Sequence, residues 1–167
     1  MKAGNRKALV AAIIAAFLFA IIAVLINVST LPALLIYDAK GEKLAELPLE
    51  HGGFIHHYIH SIHKTPVDEE FTVSGPSLEL VRVRYDSYGV GMPSDGGEAF
   101  RIEDNRFVVD MQRSFTHLDI SVSHLADHGV SIDGSFYPFT QWVPKESSIT
   151  LKAGKKVLFF SRRKAHL

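Results

Sequence analysis

Four of the chain's nine histidines fall between His56 and His63, in the stretch HHYIHSIHKTPVDEE, which runs directly into Asp68, Glu69 and Glu70. Imidazole and carboxylate together can bind a divalent metal, move protons near neutral pH, or activate a serine nucleophile. Ser61 lies inside the same stretch, so hydrolysis, metal binding and a structural corner compete for the same residues. On a strand, successive side chains alternate, which puts Phe54, His56, Tyr58 and His60 on one face and Ile55, His57, Ile59 and Ser61 on the other. His56 and His60 are then about 13 Å apart, too far for one ion with bonds of about 2 Å. A metal site would need His60 with Glu69, or one histidine with a distant partner such as His117, His124 or His128. A hydrolase would need Ser61 with His60 and Glu69, yet neighbours on a strand point to opposite faces, and no nucleophile-elbow motif surrounds the serine. Neither a catalytic nor a metal set is complete in the sequence, and no haem attachment motif, phosphate loop or dinucleotide fingerprint points to a cofactor.

Two irregular corners flank these residues. In HSIHKTPVDEEF the chain breaks at Thr65-Pro66, where proline lacks a donor and forces its predecessor into an extended conformation. In DSYGVGMPSDGGE, Gly89 and Gly91 permit backbone angles closed to other residues and Pro93 stiffens the exit. The two corners together predict one neighbourhood containing His60, Ser61, Glu69 and Ser87. The structural reading has the Ser61, Thr65 and Ser87 hydroxyls capping backbone groups, with Glu69 accepting their hydrogen bonds.

The elements that position the corners are mostly strands. LLIYDAKGEKLAELPL reads as two strands about an Asp-Ala-Lys-Gly turn, and FTVSGPSLELVRVRYDSYG as two more about Gly75-Pro76. In the latter, alternation places Leu78, Leu80, Arg82 and Arg84 on one face and Val81, Val83 and Tyr85 on the other. Further strands are predicted over 100–103, 106–111, 117–124 and 130–132, with 148–152 and 156–160 meeting at an Ala153-Gly154 turn. Such spacing of turns predicts an all-β fold, an antiparallel β-sandwich.

Ahead of the strands, Ala8 to Val28 is apolar or small except for Asn27. As a helix this run would cover the roughly 30 Å of a bilayer's hydrocarbon core. It is longer than the apolar region of a secretory signal, which predicts an uncleaved single-pass anchor over 8–28 rather than a leader. Lys2, Arg6 and Lys7 place residues 1–7 in the cytoplasm, and the β domain, 34–167, outside it. Strand-like residues resume at Leu34, so a tether of about six residues would reach at most about 20 Å. The predicted location is therefore the cell membrane, with the C-terminal domain extracytoplasmic and working at the membrane surface.

Composition excludes several classes. The formal charges, 18 basic and 18 acidic, cancel, and without the three N-terminal cations the rest is mildly acidic, so no basic face for nucleic acid is expected. The chain has no cysteine and hence no disulfide framework or thiolate chemistry.

The segments HSIHKTPVDEEFTV and SYGVGMP resemble the small proteins grouped as DUF1850, a domain of unknown function, and ELPLEHGGFIHHYIHS fits that family's approach strand. By position, His60, Ser61, Thr65, Pro66 and Glu69 correspond to the first motif, and Ser87, Gly89, Gly91 and Pro93 to the second. His63 stands where the family more often has an acid, which marks it as peripheral. The resemblance implies a neighbourhood of TRAP-type transporters, particularly those with TAXI-class binding proteins. The expected function is a non-enzymatic, membrane-anchored accessory that docks on a TRAP membrane subunit or its solute-binding protein; a Ser61 hydrolase or a divalent-metal binder are the alternatives.

Overall fold

The computed structural model describes residues 3–26, 28–87, 89, 100–125 and 127–159. The chain divides into two compact units, Leu31–Lys156 and a smaller one comprising Met1–Thr30 with Val157–Leu167.

In the smaller unit, helix α1 runs from Ala3 to Ile26, 24 residues. Nine large apolar side chains between Leu9 and Ile22 are exposed along it. Among the described residues no helix is long and apolar enough to cross a membrane, so the fold itself lends the expected 8–28 anchor no support. The boundaries also differ from expectation. The helix takes in Asn5, Arg6 and Lys7 at one end, stops at Ile26, and is followed by a strand beginning at Val28 rather than Leu34.

The described strands are β1 (Val28–Asp38), β2 (Lys43–Pro48), β3 (Gly53–Ile59), β4 (Pro66–Ser74), β5 (Ser77–Tyr85), β6 (Phe100–Glu103), β7 (Arg106–Phe115), β8 (Leu118–Ser121), β9 (Gly129–Ile132), β10 (Ser135–Pro138) and β11 (Ser148–Phe159), and all but the first residues of β1 and the last of β11 fall in the larger unit. They form a four-stranded sheet, β2-β1-β11-β8, and a seven-stranded sheet, β10-β9-β3-β4-β5-β7-β6. Every strand pair with a described register is antiparallel. Both sheets supply the core: Leu34, Ile36, Ile149 and Leu151 from the smaller join Phe54, Phe71, Leu80, Val83 and Val109 from the larger. Phe54 and Phe71, directly opposite in register, stack with centroids 5.1 Å apart. Such a pair adds about 0.5–1.5 kcal/mol beyond its buried area.

Three departures from strict alternation shape the larger unit. Against β4, Arg82 pairs with Glu70 and Leu80 with Phe71, so Val81 is an extra, bulged residue. Leu78, Leu80, Val83 and Tyr85 are consequently all buried, whereas the sequence pattern assigned the two pairs to opposite faces. Second, β11 passes straight through the expected Ala153-Gly154 turn. A Cβ on Gly154 would fall 2.6 Å from the Leu35 side chain, so this glycine serves close approach of neighbouring strands. Third, Asp133 and Gly134, with φ of 49° and 80°, make a two-residue turn that adds β10, an unpredicted strand.

Candidate binding cleft

Two consecutive histidines of β3 face two consecutive acids of β4: His56 is in register with Glu69, and His57 with Asp68. Alternation sends the pairs to opposite faces of the sheet. The His56 pair points inward, where His56 is only 7% exposed. Its Nδ1 lies 3.0 Å from Glu69 Oε2, and the Tyr58 hydroxyl donates to Glu69 Oε1 at 3.3 Å. Its Nε2 lies 3.1 Å from His128 Nε2.

Hydrogen-bond accounting fixes the direction of this array. The Ser123 backbone N–H donates to His128 Nδ1 at 2.7 Å, so the proton of a neutral His128 is on Nε2. That proton is donated to His56 Nε2, leaving His56 to donate from Nδ1 to the Glu69 carboxylate. Burial, with the nearby His56, pushes the His128 imidazole down to about 4, which keeps it neutral. Burial, together with the Glu69 carboxylate, pushes the Tyr58 phenol well above its usual value, so it remains a donor. The His128 ring is set edge-on against Phe139, whose backbone N–H donates to the His128 carbonyl at 3.0 Å.

These groups form one wall of a cleft of about 560 Å³. The end of β3 contributes His60 and Ser61, β4 contributes Glu69, and the opposite side comes from β8 with Ser123 and His124. Strand β8 ends at Ser121, short of the expected His124, because the chain turns away to make backbone bonds between Val122 and both Glu146 and Ser147. That turn brings Ser123 to His128. Glu69 and Asp119 supply the cleft's carboxylates, and among the described residues neither Lys nor Arg lines it.

His60, Ser61 and Glu69, expected together from the sequence, share this cleft. Thr65 serves the corner through its backbone: its carbonyl accepts from the His60 N–H at 2.9 Å, while the His60 carbonyl accepts from Lys64 N–H at 2.9 Å. The cap is the His60 ring, whose Nδ1 accepts from the Ile62 and His63 amides, rather than a serine or threonine hydroxyl. Glu69 accepts from His56 and the Tyr58 phenol rather than from the serine and threonine hydroxyls. Burial and then the adjacent His63 push the His60 imidazole below its ordinary value. Ser87 and Gly89 lie outside the cleft lining, and Gly91 and Pro93 lie outside the described residues. The two motifs nevertheless touch through His63. Its ring stacks on His60 at 4.8 Å, and a Cβ on Gly89 would sit 2.7 Å from its Cε1. His63 is thus the link between the corners and not peripheral. His117 does not line the cleft; its ring meets Thr116 and, at 3.4 Å, Asp119 at the cleft's edge. Among the described residues no group of three His, Cys, Asp or Glu side chains could hold a metal ion.

Fold and cleft together define a two-sheet antiparallel β domain with a histidine-lined cleft. Residues 54–139 match the family described as a domain of unknown function, DUF1850, and the chain belongs to that family. The match opens in β3 and closes at Phe139, so every histidine and acid of the His128-His56-Glu69 array lies within it. No curated protein and no solved structure matches the chain.

Proposed function

We propose that this chain is a membrane-anchored accessory whose β domain binds a protein partner outside the cytoplasm, the partner being a TRAP transporter membrane subunit or its TAXI-class solute-binding protein. The observation that carries a binding role is the open cleft of about 560 Å³ whose wall is a fixed hydrogen-bond array from His128 through His56 to Glu69. A volume of that size with mixed apolar walls and a few convergent polar groups suits a specific ligand group. Its carboxylates and hydroxyls, without a lysine or arginine among the described residues lining it, favour a partner group that donates hydrogen bonds. Helix α1, with apolar side chains exposed along Leu9 to Ile22, is the proposed anchor. The transporter assignment rests on the family resemblance alone. Ser61 lines the cleft, but no histidine is described within hydrogen-bonding distance of its hydroxyl, so nothing favours the Ser61 hydrolase.

The test is a detergent pull-down of the intact chain from cells expressing the transporter components, repeated with Glu69→Ala and His128→Ala at matched protein levels. Recovery of a TRAP component that drops at least about tenfold, or about 1.4 kcal/mol, in both variants is the expected result. Failure of the intact chain to recover any transporter component would overturn the assignment. Undiminished recovery with both variants would remove the cleft from it.

A further inference from the structure

The outward-facing half of the β3–β4 pairing has no part in the cleft array. There His57 Nδ1 lies 2.7 Å from Asp68 Oδ1, and His57 Nε2 lies 2.8 Å from the Ser131 hydroxyl on β9. Asp68 is held on its other oxygen by Arg106, whose Nε also donates to Asp86 at 2.6 Å. Burial alone would raise the Asp68 carboxyl, but hydrogen bonds from His57 and Arg106 outweigh it and hold it below the usual carboxylate range. An ionised Asp68 can only accept, so His57 carries its proton on Nδ1 and presents a lone pair from Nε2 to the Ser131 O–H. The Phe136 ring meets the His57 ring edge-on at 5.8 Å and limits its rotation.

We infer that Ser131 is a nucleophile, with His57 as its general base and Asp68 as the group that orients His57, and that it takes acyl groups from small neutral esters. Nucleophile, base and orienting carboxylate are recognised by geometry and role, and both distances here fall within the required range. The three residues border a groove of about 320 Å³ on the outer face. Ile59 and Phe136 give it apolar walls suited to a short acyl chain, and the Asp127 carboxylate disfavours anionic substrates.

In the reaction, Ser131 Oγ bonds to the ester carbonyl carbon while its proton passes to His57 Nε2. The bond to the leaving oxygen then breaks, that oxygen takes the proton from His57, and an acyl ester remains on Ser131. Water attacking by the same path yields the carboxylic acid and regenerates the serine. Strand β9 is paired on both sides, by β10 and by β3, so its amides are committed to the ladder. An oxyanion donor is typically worth about 10²–10³ in rate. Without one from β9, acylation and deacylation, which both pass through an oxyanion, are slow, and the signature is gradual labelling of one serine rather than fast turnover.

A cross-strand polar ladder would show the same hydrogen bonds without the reactivity. The experiment treats the full-length chain in detergent with a fluorophosphonate probe, whose fluoride leaves as the Ser131 oxygen bonds to phosphorus, and in parallel with p-nitrophenyl acetate. One adduct per chain, located on the Ser131 peptide by mass spectrometry, is expected. Labelling should vanish in Ser131→Ala and slow about 10²-fold or more in His57→Gln, the usual contribution of a general base. Ser114→Ala, whose hydroxyl serves Glu79 on another strand pair, should label like the unaltered chain. Ser131→Cys should regain acylation by p-nitrophenyl acetate. An unlabelled chain, an adduct mapped to another residue, or a rate unchanged in folded His57→Gln would each overturn the inference. Because the adduct is mapped in the unaltered protein, a Ser131→Ala variant that fails to fold does not remove the test.

Discussion

His56 Nε2 and His128 Nε2 lie 3.1 Å apart, so one imidazole must give a proton to the other, and the Ser123 amide on His128 Nδ1 makes His128 the donor. A protonated His128 would have to break the bond from the Ser123 amide, since both its ring nitrogens would then be donors. The folded state therefore resists protonation at this site, and acid should act on it in a defined window.

His128 has its value lowered from 6.5 to about 4 on folding. Between those limits the unfolded chain binds a proton that the folded chain does not, so stability rises with pH across the window and is lost as pH falls from 6.5 toward 4. Asp68 and Asp133, held low by their partners, lose their contributions below that window. Urea midpoints measured at pH 4.5 and 7.5 should differ more in the unaltered chain than in His128→Asn, and an equal difference would contradict the array.

Glu69→Ala removes the acceptor of both the His56 Nδ1–H and the Tyr58 hydroxyl. Leaving those donors unpaired should destabilise the fold by about 1–3 kcal/mol, whereas Glu69→Gln, which keeps one carbonyl oxygen, should cost less. Equilibrium unfolding of the two variants side by side provides the comparison.

The β5 bulge makes neighbouring residues unequal. Leu80 is 5% exposed and Val81 is 36% exposed. Leu80→Ala should therefore cost about 2–5 kcal/mol. Val81→Ala should stay within about 0.5 kcal/mol, as surface substitutions do. Similar losses at both positions in a denaturation experiment would mean that Val81 also packs into the core.

Gly89→Ala would drive a methyl group into the His63 ring, at a backbone φ of 155° that disfavours any side chain. A loss of about 1 kcal/mol or more is expected. Trimming the ring with His63→Ser should relieve part of it, giving a non-additive double-mutant cycle. Additive effects would separate the two corners.

Much of the architecture was legible because turn chemistry is local. Asp104-Asn105 and Gly75-Pro76 marked their hairpins, and the β6 boundaries agreed with the pattern. Asp133-Gly134 carried the same kind of turn signal, but the run after it ends in Pro138, and a proline within a run argues against a strand. The Val81 bulge was illegible because it depends on pairing to two neighbouring strands, and a single apolar residue looks alike in either phase. In the cleft, His60, Ser61 and Glu69 were found from their grouping, but Tyr58 was placed only on a strand face, with no role, and His128 was named only as one of several distant histidines. The bonds that matter there, His56 to Glu69 and to His128, span 13 and 72 residues. No local pattern reports such long closures.

The β3–β4 hairpin separates the cleft from the outer groove, and Tyr58 and Ile59 border both. It behaves as a party wall one strand thick. An occupant that displaces the wall from one side changes the room on the other. By thermodynamic reciprocity, any effect of a cleft ligand on the groove's affinity must return with equal size from groove to cleft. The hairpin thus joins the two sites into a single conversation.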